Sequence, residues 1–247
     1  MNNCKFYTAG SSAATDYAVK YLKTQNAFIT QTPEEATHLL LPVPSFDPDG
    51  HIKGGGSLTA LLAELPKTIT VLGGNLDRPE LAGYNTVDFL KDPLYLAQNA
   101  KITAHCAIKL AMSRLPVILQ DCRVLVIGWG RIGKCLAVLL RQLGAEVTVS
   151  ARKETDRAIL NALGYKAVNT AQLDGKPFHL IFNTVPAAIP AAEFGDAVKI
   201  DLASVPGLED PDVIRARGLP SKEAPESSGK LIARTAIRIA VGKENDT

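Results

Sequence analysis

The run Val124-Leu125-Val126-Ile127-Gly128-Trp129-Gly130-Arg131-Ile132-Gly133 sets glycines at the spacing Gly-x-Gly-x-x-Gly, directly after an apolar stretch and directly before an amphipathic one. In that context the three glycines have separate jobs. Gly128 permits a tight turn, Gly130 lets the backbone approach a pyrophosphate, and Gly133 lets the following helix pack closely on the strand. The helix N-terminus adds unpaired N–H groups and positive potential. Gly128 to Gly133, with Trp129, Arg131 and Ile132 between them, are therefore expected to hold a dinucleotide.

The second strand of such a unit usually ends in Asp or Glu when the cofactor is NAD, because a carboxylate accepts hydrogen bonds from the ribose. Here the end reads Val149-Ser150-Ala151-Arg152-Lys153. Ser150, Arg152 and Lys153 offer a hydroxyl and two cations to a 2′-phosphate, so NADP is expected, with NAD as the alternative. The competing reading of Arg152 and Lys153 is a solvated pair opening a surface helix.

Two further loops should lie beyond the carboxyl ends of the strands, where open parallel sheets bind ligands. Asn183, Thr184, Val185 and Pro186 form one and are expected beside the cofactor; Asp201 to Gly207, with Asp201 and Ser204, forms the other. Turn capping is the alternative for Asn183 and Thr184, and pairing with nearby backbone N–H groups is the alternative for Asp201. Candidate catalytic residues are Asp201, Ser204, Lys222 in the segment from Gly218 to Gly229, and His105. The other histidines, His38, His51 and His179, are isolated in sequence, and no catalytic triad is visible.

These residues need a scaffold of βαβ units. The apolar pattern predicts strands at Lys5 to Ala9, Ala27 to Thr30, Thr37 to Leu41 and Thr68 to Leu72, with helices near Ala13 to Lys23 and Leu58 to Leu65. A long helix follows from Pro93 to about Leu115. Beyond it come strands at 123–127, 146–151, 179–183 and 198–202, with helices near 132–143 and 154–163. Leu231, Ile232, Ala236 and Ile239 at helical spacing place the last helix at about 228–241, with Ser227 and Ser228 suited to cap it. The expected fold class is α/β with two doubly wound domains: a small flavodoxin-like domain over 1–92, a connecting helix over 93–119, and a Rossmann domain over 120–242 whose last helix crosses back, followed by a tail over 243–247.

With 247 residues, 46% of them hydrophobic, and a net charge of +2, the chain suits small-molecule partners rather than nucleic acid. No stretch reaches the ~18 consecutive apolar residues of a membrane span, and Met1 to Phe6 lacks a basic start before an apolar core, so a cytoplasmic location is expected. Cys4, Cys106, Cys122 and Cys135 have no metal-ligand spacing, and no metal is expected. Doubly wound domains often dimerise, so a homo-oligomer is allowed, though no interface signature is visible.

Several of these segments, in this order and spacing, resemble the first of the two subunits of dipicolinate synthase. They are 99–108, VLVIGWGRIGKCLA, GAEVTVSARK, NTVPA, IDLASVPG and GLPSKEAPESSGK, with LLLPVPSFDPDG in the first domain. The resemblance implies NADP-dependent oxidation of a dihydrodipicolinate-type ring to the aromatic dicarboxylate (dipicolinate biosynthesis) during sporulation, with a cyclic dicarboxylate for substrate and the flavoprotein-like second subunit of dipicolinate synthase for partner. This chain departs from the family where His105-Cys106 stands for Glu-Gly, where Glu226 stands for Lys, and where Ala9-Gly10-Ser11-Ser12 replaces a glycine-rich opening. Those departures carry a second reading, a non-catalytic or divergent NADP-binding partner subunit. A D-2-hydroxyacid dehydrogenase is disfavoured by Ala203-Ser204, where that family carries Arg, and by the lack of any His after His179.

Overall fold

Short apolar runs separated by amphipathic helices leave a strand no antiparallel neighbour within reach, and in both halves of the chain they assemble into parallel sheets. The computed structural model describes residues 4–173, 177–189, 194–209 and 211–242, so the tail expected over 243–247 lies outside the described residues. The chain forms two compact units, residues 1–99 with 220–247, and residues 100–219.

In the first unit, strands β1 (Lys5–Thr8), β2 (Phe28–Ile29), β3 (His38–Leu40), β4 (Thr70–Gly73) and β5 (Asn85–Asp88) pair in the order β2-β1-β3-β4-β5, all parallel. This is the flavodoxin-like order. Helices α1 (Ala13–Thr24) and α2 (Leu58–Glu64) are both capped by serine: Ser12 Oγ accepts from the Thr15 N–H and Ser57 Oγ from the Ala60 N–H. Leu39, Leu41, Ile69, Val71 and Leu62 form the core between sheet and helix. Helix α3 (Pro93–Met112) starts in this unit and ends in the other.

The second unit contains β6 (Arg123–Ile127), α4 (Arg131–Gln142), β7 (Glu146–Ala151), α5 (Glu154–Ala162), β8 (Lys166–Asn169), β9 (Leu180–Asn183), β10 (Val198–Asp201) and β11 (Ile214–Arg215). Its parallel sheet runs β11-β10-β9-β6-β7-β8, the Rossmann order. The central strands β6 and β9 are almost wholly buried, which is why Val124 to Ile127 reads as an unbroken apolar run. Pairing register brings Ile127 beside both Ser150 and Asn183, and Asn183 beside Asp201. The functional candidates on β7, β9 and β10 therefore end in one row at the carboxyl edge.

After the short α6 (Leu219–Glu223), α7 (Pro225–Ala240) belongs to the first unit and lies along α1. It begins three residues earlier than the serines suggest. Proline suits the first helical position, where its missing N–H is not needed, so Ser228 sits buried inside the helix rather than capping it. Close approach depends on Gly229, where a Cβ would stand 2.5 Å from the Ala14 carbonyl oxygen and 2.6 Å from Tyr17 Cβ. An Arg238–Asp92 ion pair and the Arg234 Nε donor to Tyr21 Oη at 3.2 Å flank that contact. Gly229→Leu is expected to force α7 off α1 and cost about 1–3 kcal/mol or more of stability, read as a lowered denaturant midpoint. An unchanged midpoint would show that the two helices can separate freely. Among the described residues no helix is long and apolar enough to cross a membrane.

Candidate functional site

The turn between β6 and α4 is built as the glycine spacing demands. Gly128 has φ +104, a conformation side chains rarely adopt, and a Cβ there would stand 2.5 Å from Thr184 Oγ1. At Gly133 a Cβ would meet the Gly128 carbonyl oxygen at 2.0 Å, so the first turn of α4 rests directly on the loop. Gly130 differs from both: nothing lies within 4 Å of where its Cβ would be. It is also the N-cap of α4, with no side chain capping the helix. Uncapped N–H groups facing open space can take an anionic group, and Arg131, exposed at the first helical position, adds a cation.

This turn forms one wall of a crevice of about 290 Å³. Gly128, Trp129 and Gly130 line it from one side, Arg152 and Lys153 from a second, and Thr184, Val185 and Pro186 from a third. Eight of the expected cofactor residues are thus brought together. Ala151, Asp156 and Thr170 line it too, none of them singled out from the sequence. Trp129, the chain's sole tryptophan, has Lys134 Nζ 5.7 Å from its ring and the Tyr165 ring 6.0 Å away. Arg141 stacks over Tyr165 at 4.2 Å and donates to the Leu163 carbonyl at 2.8 Å, which ties α4 to the end of α5.

Ser150, Asn183 and Gly133 support the crevice without lining it. Ser150 is 0% exposed and its Oγ accepts from Thr170 Oγ1 at 3.1 Å, so its hydroxyl is not presented to a ligand as expected. Asn183 is also fully buried. Its amide nitrogen donates to the Val185 carbonyl at 3.1 Å and to Asp201 Oδ1 at 2.9 Å, and its oxygen accepts from the Val185 N–H at 2.9 Å. Thr184 holds the loop from the other side, its N–H and its hydroxyl both donating to the Ile127 carbonyl at 2.9 and 2.8 Å. Ile132 is half-buried in α4 and does not line the crevice.

Asp201, expected as a catalytic group, is instead a buried fastener. At 1% exposure its carboxylate accepts from Asn183 Nδ2 at 2.9 Å, from the N–H groups of Ala203, Gly207 and Leu208 at 3.0, 2.9 and 3.2 Å, and from Arg215 Nη1 at 2.6 Å. Arg215 continues to the Leu208 carbonyl at 2.6 Å. A carboxylate with this many donors has no lone pair to spare for a substrate. The other catalytic candidates are exposed: His105 on α3, Ser204 in the loop after β10, and Lys222 on α6.

Glu226 is answered within its own helix. It forms an i,i+4 pair with Lys230 at 2.6 Å, and that hydrogen bond holds its carboxyl below the usual carboxylate range. His38 is a packing histidine, its ring 5.3 Å from Phe6 and its pKa lowered by burial, while His179 Nδ1 accepts the Arg123 N–H at 2.9 Å. Among the described residues no group of His, Cys, Asp and Glu is placed to hold a metal.

No protein-family model matches this chain, and no curated protein does. Among solved structures it aligns with a dipicolinate synthase chain from Bacillus subtilis, at a TM-score of 0.83 and 20% identity over 99% of each chain. The corresponding dipicolinate synthase chain from Bacillus halodurans gives the same TM-score and identity over 96% of this chain and 98% of that one. The chain has the fold of the first dipicolinate synthase subunit. A transhydrogenase from Sinorhizobium meliloti is more distant, at a TM-score of 0.67 and 13% identity over 97% and 94%. The dipicolinate synthase likeness covers both units, and it is a likeness of fold.

Proposed function

We propose that this chain is an NADP-dependent oxidoreductase of the kind found in the first dipicolinate synthase subunit, acting on a dihydrodipicolinate-like ring in the cytoplasm of a sporulating cell, with a flavoprotein-like second subunit for partner. The observation that carries the reading is the crevice in which the open face of Gly130, the uncapped start of α4 and the cations of Arg152 and Lys153 meet. Gly130 and the first N–H groups of α4 would hold the pyrophosphate, with Arg131 beside them. Arg152 and Lys153 would take the 2′-phosphate, since β7 ends in Ala151 rather than an acid. When bound, NADP+ supplies the hydride acceptor for the chemistry.

Loss of a hydride and a proton makes such a ring aromatic, so the protein's tasks are orientation, neutralisation of two ring carboxylates and acceptance of one proton. His105 and Ser204, both in the second unit, are the candidates to touch the substrate: the imidazole as proton acceptor, the hydroxyl as a partner of a carboxylate. Asp201 is committed to its own loop. The locking of Asp201 also supports the second reading, a non-catalytic NADP-binding partner of the flavoprotein-like protein.

Calorimetric titration with NADP+ and NAD+ tests the cofactor. NADP+ is expected to bind more tightly, and Arg152→Ala to weaken it about tenfold, the worth of one charge-assisted hydrogen bond on an exposed side chain, while leaving NAD+ nearly unchanged. Trp129, the sole tryptophan, gives an independent fluorescence signal from the crevice itself. Binding of neither nucleotide would sink the reading. Tight NADP+ binding with no turnover of a dihydrodipicolinate ring in the presence of the flavoprotein-like partner would select the non-catalytic alternative.

A further inference from the structure

Beyond Ala151 the chain turns through Arg152 and Lys153, and Lys153 caps α5 without a side-chain hydrogen bond. What fixes this turn is Arg157, half-buried one turn into α5. Its Nη1 donates to the Ala151 carbonyl at 2.9 Å and to the Arg152 carbonyl at 2.6 Å. A guanidinium is planar and always charged, so a bond to each of two successive carbonyls sets both peptide groups and neutralises their negative ends. Next to it, Asp156 lines the same crevice as Arg152 and Lys153. One carboxylate therefore shares that wall with two cations.

We infer that Arg157 and Asp156 set the nucleotide preference of this crevice in opposite directions, Arg157 favouring a 2′-phosphate by holding the turn that presents Arg152 and Lys153, and Asp156 opposing it. The inference rests on the NADP reading above. A phosphomonoester carries about −1.5 to −2 charges near neutral pH, so it responds steeply to every charge on the wall. Asp156 subtracts one positive unit from a wall that otherwise carries two, and as an acceptor it suits a free ribose hydroxyl better than a phosphate. Arg157 is a positioning residue. Without it, two carbonyl oxygens at the end of β7 lose their donor, and the backbone that aims both cations loses its fixed shape.

The test is the ratio of NADP+ to NAD+ affinity for the full chain and for Asp156→Asn, Arg157→Gln and Arg157→Lys, at one ionic strength and with thermal unfolding of each variant recorded. Asp156→Asn is expected to raise the ratio about fivefold, and Arg157→Gln to lower it about tenfold, with Arg157→Lys in between, as charged contacts near a phosphate do. A merely structural defect moves both nucleotides together and leaves the ratio alone, and that result for Arg157→Gln would overturn its role. Unchanged ratios in both Asp156→Asn and Arg157→Gln, with NAD+ binding intact, would overturn the whole inference. Failure of the NADP reading looks different: the unmodified chain would bind NAD+ with no preference for NADP+, and Asp156→Asn would then still have to gain that preference for the role of Asp156 to stand. A chain that binds neither nucleotide overturns both.

Discussion

Asp201→Ala is expected to lower the stability of the second unit by about 3–5 kcal/mol, the range for removing one partner of a buried charged network. Four of the five groups that donate to this carboxylate are neutral: the Asn183 amide and the N–H groups of Ala203, Gly207 and Leu208. Each loses its acceptor at once, at roughly 1–3 kcal/mol for every donor that water cannot reach. The ion pair itself contributes less. Arg215 has 42% side-chain exposure and turns into solvent when its partner goes, so screening discounts that term. Adding Arg215→Ala to Asp201→Ala should therefore change little further. Asp201→Asn keeps the shape and one acceptor oxygen but points an NH2 group at donors, and should fall between Asp201→Ala and the unmodified chain. Denaturant unfolding followed through Trp129, in the same unit, measures all three. A loss below about 1 kcal/mol for Asp201→Ala would mean that water fills the space and that the carboxylate is retained for some other purpose.

The position of Asp201 was legible in the sequence, while its role stayed open between catalysis and pairing with nearby backbone N–H groups, the second of which the structure shows. Strand-end residues are placed by the apolar run before them, so Ser150, Asn183 and Asp201 could be set at the carboxyl edge from periodicity alone. Whether a side chain there faces a ligand or the protein depends on what packs opposite. For Ser150 that is Thr170, at the end of β8, and for Asp201 it is a loop that closes back on it. Strand β8 itself, Lys166–Asn169, was missed because it is an edge strand with no fully buried residue and no apolar run to mark it. Strands β5 and β11 were missed for the same reason: each is short, at an edge, and pairs on one side only. The glycine loop was read correctly in its fold because its demands are local. Asp156 and Arg157 look from sequence like ordinary helix-start charges; only the turn of α5 reveals that one lines the crevice and the other holds its backbone.

Gly133→Ala and Gly130→Ala separate the two functions that the phosphate loop combines. Gly133→Ala is expected to cut nucleotide affinity more than 100-fold, about 3 kcal/mol, and to lower stability as well. Its new methyl would lie 2.0 Å from the Gly128 carbonyl oxygen, and backbone cannot swing aside as a flexible side chain can. The loop has no slack to absorb this, because a Cβ at Gly128 would itself meet Thr184 and Val185, and Thr184 is tied to Ile127 by two hydrogen bonds. Either α4 lifts off β6 or the turn opens, and both carry the uncapped N–H groups away from their present place. Gly130→Ala meets nothing within 4 Å and its backbone is extended, so stability should fall by less than about 1 kcal/mol, the loss of a glycine cap to alanine. Its methyl would nevertheless occupy the open face where a pyrophosphate must approach, and affinity should drop at least tenfold. Calorimetry and thermal unfolding of the pair distinguish the cases. If Gly130→Ala binds nucleotide as well as the unmodified chain, the pyrophosphate does not pass over Gly130, and the crevice takes its ligand some other way.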